Sequence, residues 1–217
     1  MSVFPDLKPR PLTAAQFKRS NVFLAYSRKL DRQVDLIGPT LYDAWLILEF
    51  DPSVVWFCER PPHDIELLPI EGKQRPIDFW TRDASGRNAQ IVVYGPEVAL
   101  DKTITLDRLE RSIAASKMNC QIWRAGDLQQ RRVYLRNLKQ LQPFIAQEVQ
   151  RERLLSEKIM SCVRLNAEMR WSEIVSYAKS WPLSSVNREL AHLIHQGQLT
   201  ADLAQEPLTM QTLLRPS

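Results

Sequence analysis

The chain has 217 residues, 44% of them hydrophobic and 25% charged, a balance that suits one large or two modest folded domains and excludes a chain dominated by disorder. Basic residues number 29 against 25 acidic, giving a formal charge of +4 and a pI near 9.0, a mild excess compatible with a nucleic-acid partner but not requiring one. The three cysteines, Cys58, Cys120 and Cys162, are far apart, form no CxxC pair and have no histidine at ligand spacing, which argues against structural zinc and for a reduced intracellular protein. The opening "MSVFPDLKPRPL" has no signal-peptide core, and no segment approaches the ~20 apolar residues that cross a bilayer. A cytoplasmic location and no membrane partner are expected.

Residues 1–40 mix prolines with basic clusters, "KPRP", "FKRS" and "YSRKLDR". They read as a basic arm with one short helix at "TAAQFKRS", where Thr13 can cap the start. Next, "PTLYDAWLILEFDPSVVWFCERPP" begins as a buried helix from about Thr40 to Glu49, stopped by Asp51-Pro52, and continues into a strand at "VVWFCERP". "HDIELLPI" reads as a further strand, with Gly72 and Lys73 supplying a turn. "PIDFWTR", the polar turn "DASGRN" and "AQIVVYG" then form a hairpin. "LDRLERSIAA" is helical, "CQIWRA" a short strand, and "DLQQRRVYLRNLKQLQPFI" a basic helix. This order predicts an α/β layer with a mixed sheet over residues 41–145.

From residue 146 to 217 the pattern changes to helices. "QEVQRERLLSEKIMSCVRL", "RWSEIVSYAKS" with Ser172 as a cap, and "PLSSVNRELAHLIHQGQL" with Pro182 at its start and Gly197 as its stop predict three helices. "LTADLAQEPLTMQTLLRP" follows as two extended pieces around a polar turn. Three helices and a small wing outline a winged helix-turn-helix domain.

Five stretches, "LILEFDPSVVWFCERPP", "RPIDFW", "AQIV", "RNLKQLQPF" and "HQGQLTADL", lie in an order that resembles the TnsA endonuclease subunits of heteromeric transposases. The resemblance implies an amino-terminal restriction-endonuclease-like domain of the PD-(D/E)XK type. It also implies a site in which a helix Glu, a strand Asp, and a Glu or Gln two residues before a Lys gather Mg²⁺ or Mn²⁺ and activate water. Carried over residue by residue, Asp78 matches the strand Asp and Gln90 the Glu/Gln position. The helix Glu falls on Leu41 and the Lys on Val92. Glu49 is displaced from Leu41 by roughly 12 Å along a helix, and Asp43 lies about 200° round it. Neither replaces the missing ligand directly. The expectation is therefore a degenerate nuclease site with no cofactor, Asp78 and Gln90 being its vestigial candidates and Asp78 the candidate metal ligand.

Other residues carry competing readings. Trp45, Trp56, Phe57 and Trp80 sit inside apolar runs and read as core. His192 and His195 are spaced i, i+3 without a third ligand. Arg132, Arg136 and Lys139 make one helix face cationic, suited either to solvent or to DNA phosphate. Ser184, Ser185, Asn187 and Arg188 open the candidate recognition helix, where short donors and an arginine suit groove and phosphate contacts. The function implied is a DNA-binding, architectural subunit of a transposition complex, working on the double-stranded transposon ends in the bacterial nucleoid with an integrase-fold, TnsB-like transposase partner. Two alternatives stand beside it: an active metal-dependent endonuclease with relocated ligands, and a winged-helix transcription regulator.

Overall fold

The computed structural model describes residues 7–62, 67–70, 73–95, 105–116, 119–146 and 152–217. Contacts divide the chain into two compact units, one of Met1–Leu48 with Ser53–Gln130 and one of Glu49–Pro52 with Arg131–Ser217. Sequence patterning places the boundary after residue 145. The contacts place it before the helix Arg132–Ile145, because the leucine face of that helix packs on the later helix Leu183–His195. Among the described residues, no helix is long and apolar enough to cross a membrane.

In the first unit, α1 (Ala14–Arg19) is capped as its sequence suggests: the Gln16 N–H donates to Thr13 Oγ1 at 3.3 Å, and the Thr13 N–H donates to Gln16 Oε1 at 2.8 Å. Beyond α1, the arm is an antiparallel hairpin of β1 (Val22–Ser27) and β2 (Arg32–Ile37). Its inward residues Ala25, Ser27, Val34 and Leu36 alternate with Leu24, Tyr26, Gln33 and Asp35, a strand pattern that the basic cluster at the turn obscures. Helix α2 (Gly38–Phe50) starts two residues earlier than patterning suggests, at Gly38, whose φ of +79° and N–H bond to the Asn21 carbonyl (2.7 Å) turn the chain out of β2. Every α2 residue from Ala44 to Phe50 is buried, which is why its apolar pattern runs all round the helix.

Next come β3 (Val54–Glu59), β4 (Leu67–Ile70), β5 (Lys73–Pro76), β6 (Phe79–Asp83), β7 (Asn88–Tyr94), α3 (Leu106–Ala115), β8 (Cys120–Arg124) and α4 (Ala125–Gln130). Strands β4 and β5 form their own antiparallel pair; the turn read at Gly72 and the start of "HDIELLPI" lie outside the described residues. The main sheet runs β3-β6-β7-β8, with β7 and β8 parallel and the other pairs antiparallel. The β6–β7 turn is set by Asp83, which accepts the N–H groups of Ser85 (2.8 Å) and Arg87 (3.0 Å), with Gly86 at φ +84°. The Ser85 hydroxyl, together with the backbone and guanidinium of Arg87, holds the Asp83 carboxyl down at about 2.

The second unit contains α5 (Arg132–Ile145), α6 (Arg153–Asn166), β9 (Met169–Arg170), α7 (Trp171–Tyr177), α8 (Leu183–His195), β10 (Leu199–Thr200) and β11 (Leu213–Pro216). The single helix expected over "DLQQRRVYLRNLKQLQPFI" is two, broken at Arg131, whose φ of −85° and ψ of 27° leave the helical region. The start of the helix read at "QEVQRERLL" lies outside the described residues. Strand β9, too short to show any periodicity, joins the two expected extended pieces in a sheet ordered β10-β11-β9. Ser172 lies inside α7 rather than capping it; the residue before the helix is Arg170, whose N–H donates to Glu173 Oε2 at 2.7 Å. Gly197, at φ +67°, ends α8, and a Cβ there would meet Pro52 at 2.7 Å.

Candidate functional site

Asp78 sits at a bend just before β6. Its N–H donates to the Ile91 carbonyl (3.0 Å), its carbonyl accepts from the Arg60 N–H (2.8 Å), and its Oδ2 accepts from the Val93 N–H (2.7 Å). The carboxylate thus continues the β6–β7 ladder where the backbone bends away. One oxygen is committed to a structural bond.

Gln90 is 5% exposed, between Trp80 on β6 and Cys120 on β8. Its Oε1 finds no hydrogen-bond partner among the described residues, a loss of about 1–3 kcal/mol for a buried acceptor. Two residues on and on the same face of β7, Val92 is wholly buried in a cluster with Ile77 and Leu109, packed by Tyr94, Ile113 and Ile122. Leu41 is also buried. Hard divalent cations require several charged oxygens, with room for water. One carboxylate already bonded to backbone, one buried amide and two buried aliphatic side chains do not fit such an ion. Among the described residues, no group of three or more histidines, cysteines or acids could hold a metal.

The surroundings of Asp78 are cationic. The Arg10 N–H donates to the Arg60 carbonyl (2.9 Å) and Arg60 Nε donates to the Arg10 carbonyl (3.0 Å), while Arg10 Nε donates to the Pro61 carbonyl (2.9 Å). Arg60 also donates to the Asp35 carbonyl and adopts a φ of 45°, a conformation that costs a non-glycine residue energy. Burial and the neighbouring Arg60 lower the Arg10 pKa, and Asp78 partly offsets them. One position before Arg60, Glu59 is 2% exposed and takes both guanidinium nitrogens of Arg32, at 2.7 and 2.6 Å. These interactions fasten the arm and its hairpin to the end of β3. None of these partners is signalled by local sequence, since each lies more than twenty residues from its mate.

Phe57, Trp45 and Trp80 are core residues, as their apolar contexts suggest, whereas Trp56 is half-buried and meets Trp80 edge-on, with ring centroids 5.6 Å apart. Cys58, Cys120 and Cys162 are free thiols. Burial pushes the Cys58 thiol up to about 12, with Glu59 adding to the effect.

In the second unit, Arg132, Arg136 and Lys139 are all exposed on α5. On α8, Ser184 is exposed, and Ser185, Asn187 and Arg188 are half-exposed. Asn187 Oδ1 accepts the Trp171 Nε1–H at 2.9 Å, which ties it to packing. Every residue from Glu189 to His195 is buried. His195 Nε2 lies 2.9 Å from Glu49 Oε1, so its partner is a carboxylate of the "LILEF" stretch.

One organising residue escaped the sequence reading. Asn137, fully buried on α5, donates from Nδ2 to the carbonyls of Leu203 (2.8 Å) and Glu206 (2.7 Å) and accepts the Leu208 N–H at Oδ1 (2.8 Å). It fixes the connection between β10 and β11. Its signal was available, because a carboxamide between Leu135 and Leu138 on an apolar helix face must find partners. Beside it, a cavity of about 240 Å³ is lined by Phe50, Tyr134, Leu138, Ile194, Leu199 and Leu203. Burial raises the Tyr134 pKa, and Asp51 adds to the rise. No protein-family model matches the chain, and no curated protein matches it.

Proposed function

We propose that this chain is a TnsA-like, DNA-binding accessory subunit of a transposition complex, architectural rather than catalytic. The observation that carries the reading is the connectivity of the first unit together with the residues at the four positions the resemblance names. With the β1–β2 and β4–β5 pairs set aside, a helix, three antiparallel strands, a helix and a fourth strand parallel to the third are consistent with the core expected of a restriction-endonuclease-like domain. Asp78 lies just before its middle strand and Gln90 on the next, the positions at which the resemblance expects an acid and an amide. The lysine position is Val92, sealed among aliphatic side chains, and the helix-acid position is the buried Leu41. Phosphodiester hydrolysis needs charge neutralisation and an activated water, and this set supplies neither.

The second unit supports the winged-helix part of the reading. After α5, its order is helix, strand, two helices, then two strands, with the first strand, β9, joining the last, β11. In this proposal the protein binds transposon-end duplex in the bacterial nucleoid and docks an integrase-fold, TnsB-like transposase. The fold of a cutting subunit then serves as scaffold.

The test is a nicking assay on supercoiled and transposon-end DNA with Mg²⁺ and then Mn²⁺, with and without the transposase, for wild type and Asp78→Ala. Shifted DNA bands with intact strands for both proteins are expected. Cleavage that disappears in Asp78→Ala would replace the architectural role with an enzymatic one, and absence of any shift would remove DNA binding.

A further inference from the structure

In a winged-helix arrangement the third helix is the element that enters a DNA groove, and here that helix is α8. Groove reading needs several side chains free to reach base edges, and in helix-turn-helix proteins they lie near the N-terminus of that helix. From Glu189 to His195, α8 offers none, because α5, α6, α7 and β10 all pack on it. Even its polar stripe is internal, since Glu189, His192 and His195 are buried and His195 is paired with Glu49. Only the first turn and a half is accessible, and there Leu183 is exposed and apolar while Asn187 is held by Trp171.

Helix α5 has the opposite character. Its residues Leu135, Asn137, Leu138, Leu141 and Ile145 face inward. At about 100° per residue, Arg132, Arg136 and Lys139 fall within a sector of roughly 60° on the far side, and the row spans about 10 Å along the axis. The helix contains no acidic residue. Elsewhere on this unit, three exposed arginines are matched by carboxylates: Arg153 with Glu157 (2.7 Å), Arg170 with Glu173 (3.7 Å) and Arg215 with Glu168 (2.9 Å). Arg132 and Arg136 form no ion pair among the described residues. Like charges at this spacing disfavour a helix, so the row has a cost that a polyanionic partner would repay. The helix is also fixed in place, by its leucines and by the three Asn137 bonds to the β10–β11 connection.

We propose that the exposed face of α5, and not α8, is the DNA-contacting surface of the second unit, and that Arg132, Arg136 and Lys139 bind the phosphate backbone of duplex DNA without reading its sequence. This rests on the DNA-binding reading above and names the surface that performs it. Phosphate contacts position a protein on a duplex, whereas base contacts specify the site. Selection of the transposon end is then left to the partner subunit.

The experiment is fluorescence anisotropy of the full chain on a labelled transposon-end duplex and on a shuffled duplex of equal length, over a salt series. Three proteins are compared: wild type, Arg132→Ala/Arg136→Ala/Lys139→Ala, and Ser184→Ala/Ser185→Ala/Arg188→Ala. Alanine preserves helix propensity, and circular dichroism checks that each variant is folded. Each phosphate contact contributes a slope of about −0.9 to log K against log [salt], so losing three flattens the slope by about 2.7 and weakens binding about 500-fold near 0.1 M salt. The expected result is that loss in the α5 variant, wild-type binding in the α8 variant, and equal affinity for the two duplexes. Wild-type affinity and slope in the α5 variant, with binding lost in the α8 variant, would overturn the inference while leaving DNA binding intact. A strong preference of wild type for the transposon end would overturn its sequence-independent part. No binding by wild type to either duplex even at low salt would sink the DNA-binding reading itself, a result distinct from the others.

Discussion

Replacing Asn137 with alanine should loosen the second unit from the inside. The side chain is fully buried and makes three hydrogen bonds of 2.7–2.8 Å to the segment between β10 and β11. Truncation orphans two carbonyls and one N–H, each worth about 1–3 kcal/mol if no water reaches it. Residues 204–207 are exposed, so water can relieve part of this, and the lower end, about 3 kcal/mol in total, is the expected loss. At a urea m-value of about 1.5 kcal/mol/M, the unfolding midpoint of this unit falls by about 2 M. Asn137→Asp is a sharper probe, because it keeps the acceptor for the Leu208 N–H but turns a carboxylate towards two carbonyl oxygens. It should cost more than alanine at neutral pH and recover as the solution is acidified. Urea titration gives the global number, and hydrogen exchange of the Leu208 amide gives the local one. A cost under about 1 kcal/mol, with Leu208 protection unchanged, would show that the clamp does not hold this segment and that the reasoning is wrong.

Two further outcomes follow from the first unit. Val92→Lys, which puts a lysine where the proposed nuclease-like site would hold one, should not create cleavage; it places an ammonium among Ile77, Leu109 and Ile122 and should destabilise the protein by about 3 kcal/mol or more, so gain of Mg²⁺-dependent nicking at unchanged melting temperature would contradict the account of this site. Because the folded-state pKa of Cys58 is raised from its ordinary value near 9 to about 12, the stabilising contribution of its neutral thiol is complete below pH ~9 and is lost as pH rises towards ~12. A thiol reagent at pH 8 should therefore leave Cys58 unlabelled until denaturant is added, and rapid labelling of the native protein would refute its burial.

Local physics made much of the architecture legible. Thr13 and Gln16 announce the α1 cap, Asp83 and Gly86 the β6–β7 turn, and Gly197 the end of α8, because each acts through backbone groups within a few residues. The apolar patterns of α2, α3, α6 and α8 locate helices for the same reason. The β1–β2 hairpin stayed hidden because the basic cluster of Arg28, Lys29 and Arg32 at its turn obscures the alternation of Val34 and Leu36 with Gln33 and Asp35, and β9 because two residues have no period. The domain boundary also required the fold, since nothing within "RNLKQLQPF" says which leucines its leucines will meet.

Sequence alone determined which chemical groups are present: an aspartate at 78, a glutamine at 90, a valine at 92 and a row of basic residues along 132–139. Tertiary structure decided what those groups can do. Asp78 became a backbone acceptor because the chain bends there beside Val93, Val92 became core because α3 covers that face of the sheet, and α8 is buried from Glu189 to His195 because other elements pack on it. Those outcomes depend on which distant segments are brought into contact, and spacing along one chain carries no record of that.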